Sequence, residues 1–373
     1  MKILSLLGTR PEIIRLACVL NRLSSVTDHA LCYTDQNFDE NLSDIFFRQL
    51  AVDEPKYHLK AASSSLGGFL GNLFPGFEDA LDDYQPDAVL TLGDTNSALA
   101  ALIAERRGIP VYHLEAGNRS FDVRVPEETN RRVLDHLCTF NLAYTEHARR
   151  NLLSEGLPTR RCTVIGSPLR EVYETYQHAV DEDPVHQALG IKAQDYIVLS
   201  LHREENVEDA ETLHHILDGV ERMRDLSCAH VVVSTHPRLV RRLRGWTPPK
   251  QWIMSPPFGY FEYLALQRGA RLVISDSGSV SEEAAIIGFP AISPRASMER
   301  PEALETGSVL LAGVTAASIV ECGRYLLEHA LEGHRPDTPA GYEIRDTSER
   351  VVRFLHSTLP VTGFWTGRTG ANG

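Results

Sequence analysis

Residues 2–23 read KILSLLGTRPEIIRLACVLNRL, and this stretch sets the pattern of the fold. The apolar run of residues 2–8 is typical of a buried strand. Gly8 allows a tight turn, and Pro11 stands where prolines commonly begin helices. Residues 11–23 then follow as a helix. A buried strand that turns at once into a helix is the repeating unit of a parallel sheet with helices on its faces.

The same alternation continues along the chain and restarts after the GSP at 166–168. It predicts strands at 30–34, 88–93, 109–115, 196–202, 230–236, 252–256 and 271–276, and helices at 97–108, 210–225 and 348–359. We therefore expect an α/β chain with two doubly wound domains and a boundary near residues 167–185. Ligands of such sheets bind at the carboxyl ends of the strands, so we expect the ligand in a cleft between the domains.

The bulk composition agrees with a two-domain globular enzyme or binding protein. The chain has 373 residues, and its net charge of −13 opposes non-specific binding to nucleic acid. No apolar run reaches the ~18 residues of a membrane helix, and the N-terminus does not resemble a signal peptide. The six cysteines (18, 32, 138, 162, 228 and 322) form no CxxC pair. They predict a reducing, cytoplasmic location without disulfides or a zinc site.

Two strand ends in the first half carry candidate binding groups. Arg10 and Arg15 flank the helix that begins after the first strand, which favours a phosphate-type site, although a plain turn with solvated arginines would look the same. The chain has no Walker loop and no GxGxxG, so no motif supports a nicotinamide cofactor. Asp94 follows the strand at 88–93, and both a helix cap and a carboxylate at the ligand site remain open for it.

Residues 113–132, HLEAGNRSFDVRVPEETNRR, are unusually dense in charge. Glu115 ends an otherwise apolar strand and has no helix to cap. Glu127 and Glu128 follow Pro126 at a predicted helix start, and Arg131 lies four residues after Glu127, on the same helix face. Carboxylates gathered at a buried site suit an acid/base pair. Intrahelical ion pairs alone could explain Glu128 and Arg132.

The second half repeats a His–Arg pattern at two strand ends. His202 and Arg203 follow one strand, and His236 with Arg238 follows the next, which favours contacts to a polyanion. The small residues Ser277, Gly278 and Ser279 precede a helix that we expect to begin near Ser279. A helix start over a diphosphate, with Glu283 accepting from ribose hydroxyls, suits a nucleotide, although a capped helix with acidic residues in its first turn is the simpler alternative.

Taken together, these motifs resemble the non-hydrolysing UDP-N-acetylglucosamine 2-epimerase family. The resemblance rests on GTRPEIIR (8–15), GDTNS (93–97), HLEAGNR (113–119), VPEETNRR (125–132), LHREEN (201–206), SDSGSVSEEA (275–284) and MERPEAL (298–304). It implies two Rossmann-like domains facing across a cleft (the GT-B fold), a cytoplasmic bacterial homodimer, and no cofactor or metal. The implied domains are residues 1–170, with a C-terminal helix at about 345–360 packing back on them, and 171–344, which binds UDP. We expect a loose tail at 361–373, with docking through Phe364 and Trp365 as the alternative.

The family reaction, carried over by matching position, assigns roles to these residues. The family eliminates UDP to give a 2-acetamidoglucal and adds it back with inversion at C2 of the UDP-N-acetylhexosamine. Asp94, Glu115 and Glu127 would then be acid/base or sugar-positioning carboxylates, and Arg131 would orient Glu127 or reach the sugar. Arg10 and His202 would hold the diphosphate. Further substrate contacts would come from Arg15, Arg203, His236, Ser277, Gly278, Ser279 and, at the ribose, Glu283.

Some residues depart from the family pattern, among them Arg15, Asn118, Ser279 and TDQN at 34–37. Several departures resemble the subgroup that forms UDP-N-acetyl-L-fucosamine. The expected function is interconversion of UDP-GlcNAc and UDP-ManNAc. The alternatives are a C2 epimerase acting on a 6-deoxy sugar (L-talo to L-fuco), a hydrolysing 2-epimerase and a GT-B glycosyltransferase.

Overall fold

The computed structural model describes residues 1–36, 40–122, 125–227, 229–331 and 335–366, and within these ranges it leaves out the side chains of residues 40–44, 330, 331 and 366. Asn37 of the TDQN motif, Cys228 and the tail from residue 367 lie outside these ranges. The chain divides into two compact units. Unit 1 comprises Met1–Thr175 and the segment from Ala340 to the C-terminus, and unit 2 comprises Tyr176–Pro339.

Unit 1 is built on a parallel sheet of seven strands in the order β3-β2-β1-β4-β5-β6-β7. The strands are β1 (Lys2–Leu7), β2 (Asp28–Tyr33), β3 (Tyr57–His58), β4 (Ala88–Leu92), β5 (Val111–Leu114), β6 (Phe140–Ala143) and β7 (Cys162–Val164). Every residue of β4, β5 and β6 is buried. This burial on both faces explains why these strands are mostly apolar rather than alternating, with one buried polar residue in each, Thr91, His113 and Asn141.

The helices of unit 1 begin where the sequence supplies caps and prolines. They are α1 (Arg10–Val26), α2 (Glu40–Gln49), α3 (Leu66–Tyr84), α4 (Ala101–Arg106), α5 (Pro126–Leu137), α6 (Glu146–Ser154) and α7 (Pro168–Asp181). Thr9 and Glu12 form a capping box at the start of α1, and Pro126 is the first residue of α5. The predicted helix at 97–108 starts as a 3-10 turn, Asn96–Ala100, before α4. The chain passes into unit 2 within α7.

Unit 2 holds a second parallel sheet, of six strands in the order β10-β9-β8-β11-β12-β13. The strands are β8 (Tyr196–Leu201), β9 (His230–Thr235), β10 (Trp252–Ser255), β11 (Leu272–Ser275), β12 (Ala291–Ser293) and β13 (Leu310–Leu311). The helices are α8 (Val185–Leu189), α9 (Glu204–Val207), α10 (Ala210–Ser227), α11 (Pro237–Arg242), α12 (Tyr260–Gly269), α13 (Val280–Ile287), α14 (Pro301–Thr306) and α15 (Ala316–Leu331). None of the helices in the described ranges is long and apolar enough to cross a membrane.

The C-terminal segment belongs to unit 1. It contains α16 (Thr347–Thr358) and α17 (Thr362–Thr366), and α16 packs against α1 with Val351 and Leu355 buried. Within the tail, residues Thr362–Thr366 form α17, and the Trp365 ring lies 6.1 Å from that of Phe140. Phe364, in contrast, is 87% exposed.

Both sheets reverse their strand order at one point. In unit 1 the reversal lies between β1 and β4, and in unit 2 between β8 and β11. The predicted α/β class with two doubly wound, Rossmann-like sheets is therefore confirmed. Ligands of such sheets bind beyond the carboxyl ends of the strands at the reversal. The residues that follow β1, β4, β8 and β11 are accordingly the first candidates for a functional site.

Candidate functional site

The loops after β1 and β4 of unit 1 approach each other closely. A Cβ atom at Gly8 would overlap the side chains of Ser97 and Thr34, so only glycine allows this approach. Arg10 begins α1 directly after this turn, and its guanidinium lies 5.9 Å from the centre of the Phe46 ring. The approach brings the loop that carries Arg10 next to the loop that carries Asp94.

Asp94 pairs with an arginine from a different element. Arg131 Nε on α5 donates to Asp94 Oδ2 at 2.6 Å, and Asn130 Nδ2 donates to the Asp94 carbonyl oxygen at 2.9 Å. Arg131 is buried, whereas Asp94 keeps part of its surface. A buried guanidinium at this distance holds the carboxylate in one orientation. The structure thus joins two residues that the sequence singled out separately.

Glu115 occupies the turn after β5 with a backbone φ of +64°, which is uncommon for a residue other than glycine. Arg15 Nη1 lies 3.6 Å from Glu115 Oε2, and Asn118 Nδ2 donates to Glu115 Oε1 at 3.3 Å. Arg15 is buried, and Glu115, the carboxylate it pairs with, belongs to the same unit. Two adjacent strand ends of unit 1 therefore each present a carboxylate paired with a buried arginine.

The two neighbouring glutamates of α5 differ sharply in environment. Glu127 is exposed, while Glu128 is buried and accepts hydrogen bonds from Ser120 N, Ser120 Oγ and Arg131 Nη1 at 3.0, 3.0 and 2.9 Å. Burial alone would raise the pKa of Glu128, but these donors outweigh it, and the pKa lies below its usual range. The guanidinium of Arg131 pairs with Glu128 and Asp94, and its expected role of orienting Glu127 or reaching the sugar stays a prediction.

In unit 2, Asp276 organises the strand-end residues after β8 and β11. It is fully buried and accepts from the backbone N–H of His202 at 3.0 Å and of Arg203 at 3.1 Å, and from Asn206 Nδ2 at 3.1 Å. His202 Nδ1 lies 2.9 Å from the same carboxylate. Burial raises the pKa of Asp276, but His202 and the two N–H donors outweigh it, so the pKa is lowered. The ring of His236 lies 6.1 Å from that of His202.

Arg300 holds the Ser277–Ser279 loop in place. Arg300 Nη1 donates to the Gly278 carbonyl oxygen at 2.9 Å, and Arg300 Nε lies 2.9 Å from the buried carboxylate of Glu282. Ser277 Oγ and Ser279 Oγ are 3.0 Å apart. Glu282, in the first turn of α13, therefore has a structural role as the ion-pair partner of Arg300. Glu283 accepts from Gln267 Nε2 at 2.7 Å.

The family model described as UDP-N-acetylglucosamine 2-epimerase matches residues 21–356, which is most of the chain. The chain belongs to this family. The predicted resemblance to UDP-N-acetylglucosamine 2-epimerases is therefore confirmed, and the family places the chain among the isomerases.

Individual members of the UDP-N-acetylglucosamine 2-epimerase family match along their whole length. The UDP-N-acetylglucosamine 2-epimerase of Methanocaldococcus jannaschii is 34% identical over 366 residues, covering 95% of this chain and 99% of the relative. A crystal structure of the M. jannaschii UDP-GlcNAc 2-epimerase in complex with UDP-GlcNAc and UDP superposes with a TM-score of 0.88, covering 96% of this chain and 100% of the other. The UDP-2,3-diacetamido-2,3-dideoxy-D-glucuronate 2-epimerase of Pseudomonas aeruginosa is 32% identical over 364 residues, covering 95% and 99%.

Two buried acids of this epimerase-family chain escaped the sequence reasoning. Glu12 is 1% exposed and accepts four hydrogen bonds from the loops after β1 and β4, and burial raises its pKa to about 7. Its signal was the Thr9-x-x-Glu12 spacing of a capping box. Asp276 stood inside a quoted motif, but the sequence carried no sign that it would accept from the chain after β8.

A buried network behind β5 was also missed. His113 Nε2 lies 2.8 Å from the Gly93 carbonyl oxygen and His113 Nδ1 lies 3.2 Å from Asp135, which also accepts from Gly117 N and Arg119 Nη1. Burial lowers the pKa of His113, but Asp135 outweighs it, so the pKa is raised. The network ties the turn before Asp94 to the turn after Glu115. Among the described residues, no cluster of three His, Cys, Asp or Glu side chains is arranged to hold a metal ion.

Proposed function

We propose that the protein is a UDP-N-acetylglucosamine 2-epimerase that interconverts UDP-GlcNAc and UDP-ManNAc without net hydrolysis. The observation that carries this proposal is the pair of arginine-held carboxylates, Asp94–Arg131 and Glu115–Arg15, at adjacent strand ends of unit 1. Full-length similarity to named 2-epimerases supports the substrate class.

Inversion at C2 needs an elimination, because the C2–H bond has no adjacent carbonyl to acidify it. A base removes the C2 proton, the C1–O bond breaks with its electrons going to UDP, and a double bond forms between C1 and C2. A proton then returns to C2 from the opposite face as a UDP oxygen attacks C1. We propose that Asp94, Glu115 and Glu127 supply the proton-transfer and sugar-positioning groups of this sequence.

Charge develops on the diphosphate as it leaves, and cationic or N–H donor groups stabilise it. We propose that Arg10, Arg203, His202 and His236 contact the diphosphate, and that the Ser277–Ser279 loop at the start of α13 lines its site. The anchoring of His202 on Asp276 supports this assignment, because it fixes the ring at the end of β8. Glu283 is proposed to accept from the ribose hydroxyls, and Arg15 and Arg131 to orient the carboxylates they pair with.

The test is an NMR time course of the purified protein with UDP-GlcNAc in D2O. We expect UDP-ManNAc carrying deuterium at C2, with no free sugar. Free ManNAc and UDP would instead show a hydrolysing enzyme, and transfer seen only with an added acceptor would show a glycosyltransferase. The Glu115→Gln variant should lose epimerisation and keep its affinity for UDP, while Glu146→Gln, an exposed glutamate at the start of α6, should keep both.

A second candidate is C2 epimerisation of a related UDP-2-acetamido sugar, since the relative from P. aeruginosa is named for a diacetamido uronate. The 6-deoxy L-talo and L-fuco sugars are a further form of this candidate. The same time course on these sugars decides between them by the ratio of turnover numbers.

We propose a homodimer in the cytoplasm of a bacterium. The location is supported by the free thiols of the cysteines that the structure describes, at Cys18, Cys32, Cys138, Cys162 and Cys322. Sedimentation of the purified chain tests the dimer.

A further inference from the structure

The geometry points to Glu12 as a positioning residue of the proposed epimerase reaction, joining the loop that carries Arg10 to the loop that carries Asp94 through Thr95. This inference rests on the proposed function. Glu12 lies on the first turn of α1 and, at 1% exposure, does not meet solvent. A group so placed acts on the reaction only through the residues that it holds.

The four hydrogen bonds of Glu12 connect two loops. Its Oε2 accepts from Gly8 N at 2.8 Å, Thr9 N at 2.6 Å and Thr9 Oγ1 at 2.9 Å. Its Oε1 accepts from Thr95 Oγ1 at 2.9 Å. Thr95 is the residue after Asp94, and Thr9 is the residue before Arg10. One carboxyl group therefore sets the spacing between a candidate acid/base residue and a candidate diphosphate ligand.

All four contacts are donors toward Glu12, so the ionised carboxylate satisfies each of them. Burial is the largest cause of its raised pKa of about 7, and the four hydrogen bonds oppose it. Charged groups on the adjoining elements include Arg10 and Arg15 of α1, Asp94 beside Thr95, and Glu115 after β5, of which Asp94 and Glu115 are paired with arginines. We call the Glu12 carboxylate, with its hydrogen bonds to Gly8, Thr9 and Thr95, the joint between the loops. The joint thus changes its protonation near neutral pH.

Two variants test the hydrogen bond between the loops separately from the ionisation of Glu12. Thr95→Val removes the hydrogen bond from Thr95 to Glu12 and keeps the side-chain shape. Glu12→Gln keeps the size and the link, because its amide can donate to Thr95 Oγ1, but it cannot ionise. We expect Thr95→Val to lower kcat about 10- to 100-fold with KM changed by about twofold or less, as for a misplaced catalytic group. We expect the rise of kcat with pH near 7 to be absent in Glu12→Gln.

The same chemistry elsewhere in unit 1 supplies a matched control. Glu105 is also buried and accepts from Thr139 Oγ1 and from two backbone N–H groups. These donors lie at the amino ends of β5 and β6, away from the carboxyl ends that carry the candidate site. Thr139→Val should cost similar stability and leave kcat within about twofold of wild type. Equal losses of kcat in Thr95→Val and Thr139→Val, or an unchanged pH profile in Glu12→Gln, would overturn the inference.

Amide hydrogen exchange of residues 8–12 separates this inference from the proposed function, because it needs no substrate. Should the wild type turn over no UDP-sugar, the proposed function fails and exchange alone decides. Faster exchange at Gly8 and Thr9 in Thr95→Val, with no change in Thr139→Val, would support the joint. Identical exchange in wild type and Thr95→Val would refute it.

Discussion

Glu127 and Glu128 share a helix turn, but we expect their substitution to have opposite effects on stability and activity. Glu128→Gln should lower the free energy of unfolding by about 1–3 kcal/mol, because an amide group meets donors from Ser120 and Arg131 in a buried site. Glu127→Gln should change stability by less than about 0.5 kcal/mol, since the side chain is exposed, yet abolish epimerisation. Denaturant unfolding and the NMR assay measure both. A destabilised but fully active Glu127→Gln would contradict its assignment as an acid/base candidate.

At the scale of an element, the turn after β5 depends on a glycine. Gly117 has a φ of +85°, and a Cβ there would collide with the carbonyl oxygen of Ala148 on α6. Gly156→Ala is the matched comparison, because Gly156 has a φ of +88° with open space around it. We expect Gly156→Ala to cost about 1–2 kcal/mol from the left-handed backbone alone. Gly117→Ala should cost at least about 1 kcal/mol more and lower kcat, since its turn carries Glu115.

Thermal unfolding of the two glycine variants gives the difference directly. Equal costs would mean that α6 yields to the added methyl group, and that the packing of this turn does not hold Glu115.

At the scale of the whole molecule, the chain returns to its first unit at its C-terminus. Leu355 of α16 is 1% exposed, and α16 packs on α1. Leu355→Ala should lower the stability of unit 1 by about 2–5 kcal/mol, because the buried cavity collapses only in part. Hydrogen exchange should accelerate in β1 and β4 and stay unchanged in β8 and β11. Leu226→Ala, at a leucine 59% exposed on α10, should leave both patterns unchanged.

Acceleration in the strands of unit 2 alone would contradict the assignment of α16 to unit 1. Sequence reasoning placed this helix from its amphipathic pattern and from the family resemblance, but a period of apolar residues does not name the surface that covers them.

The order of strands and helices could be predicted from the sequence, because buried parallel strands are mostly apolar runs and capping residues or prolines mark where helices begin. The strand-end rule then selected Asp94, Glu115 and His202 as candidates. The rule works because carboxyl ends of parallel strands meet at one edge of a sheet, whatever the rest of the chain does.

The partners of those residues were decided by tertiary structure. Helical spacing predicts Arg131 as a neighbour of Glu127, whereas its hydrogen bond to Asp94, at a strand end 37 residues away, could not be read from local spacing. Glu12 and Asp276 likewise accept from loops that are distant in sequence. Local periodicity was enough to predict which elements form and which strand ends are charged. It did not predict which carboxylates are buried, held or left exposed, because hydrogen bonds and burial join residues that no local pattern connects.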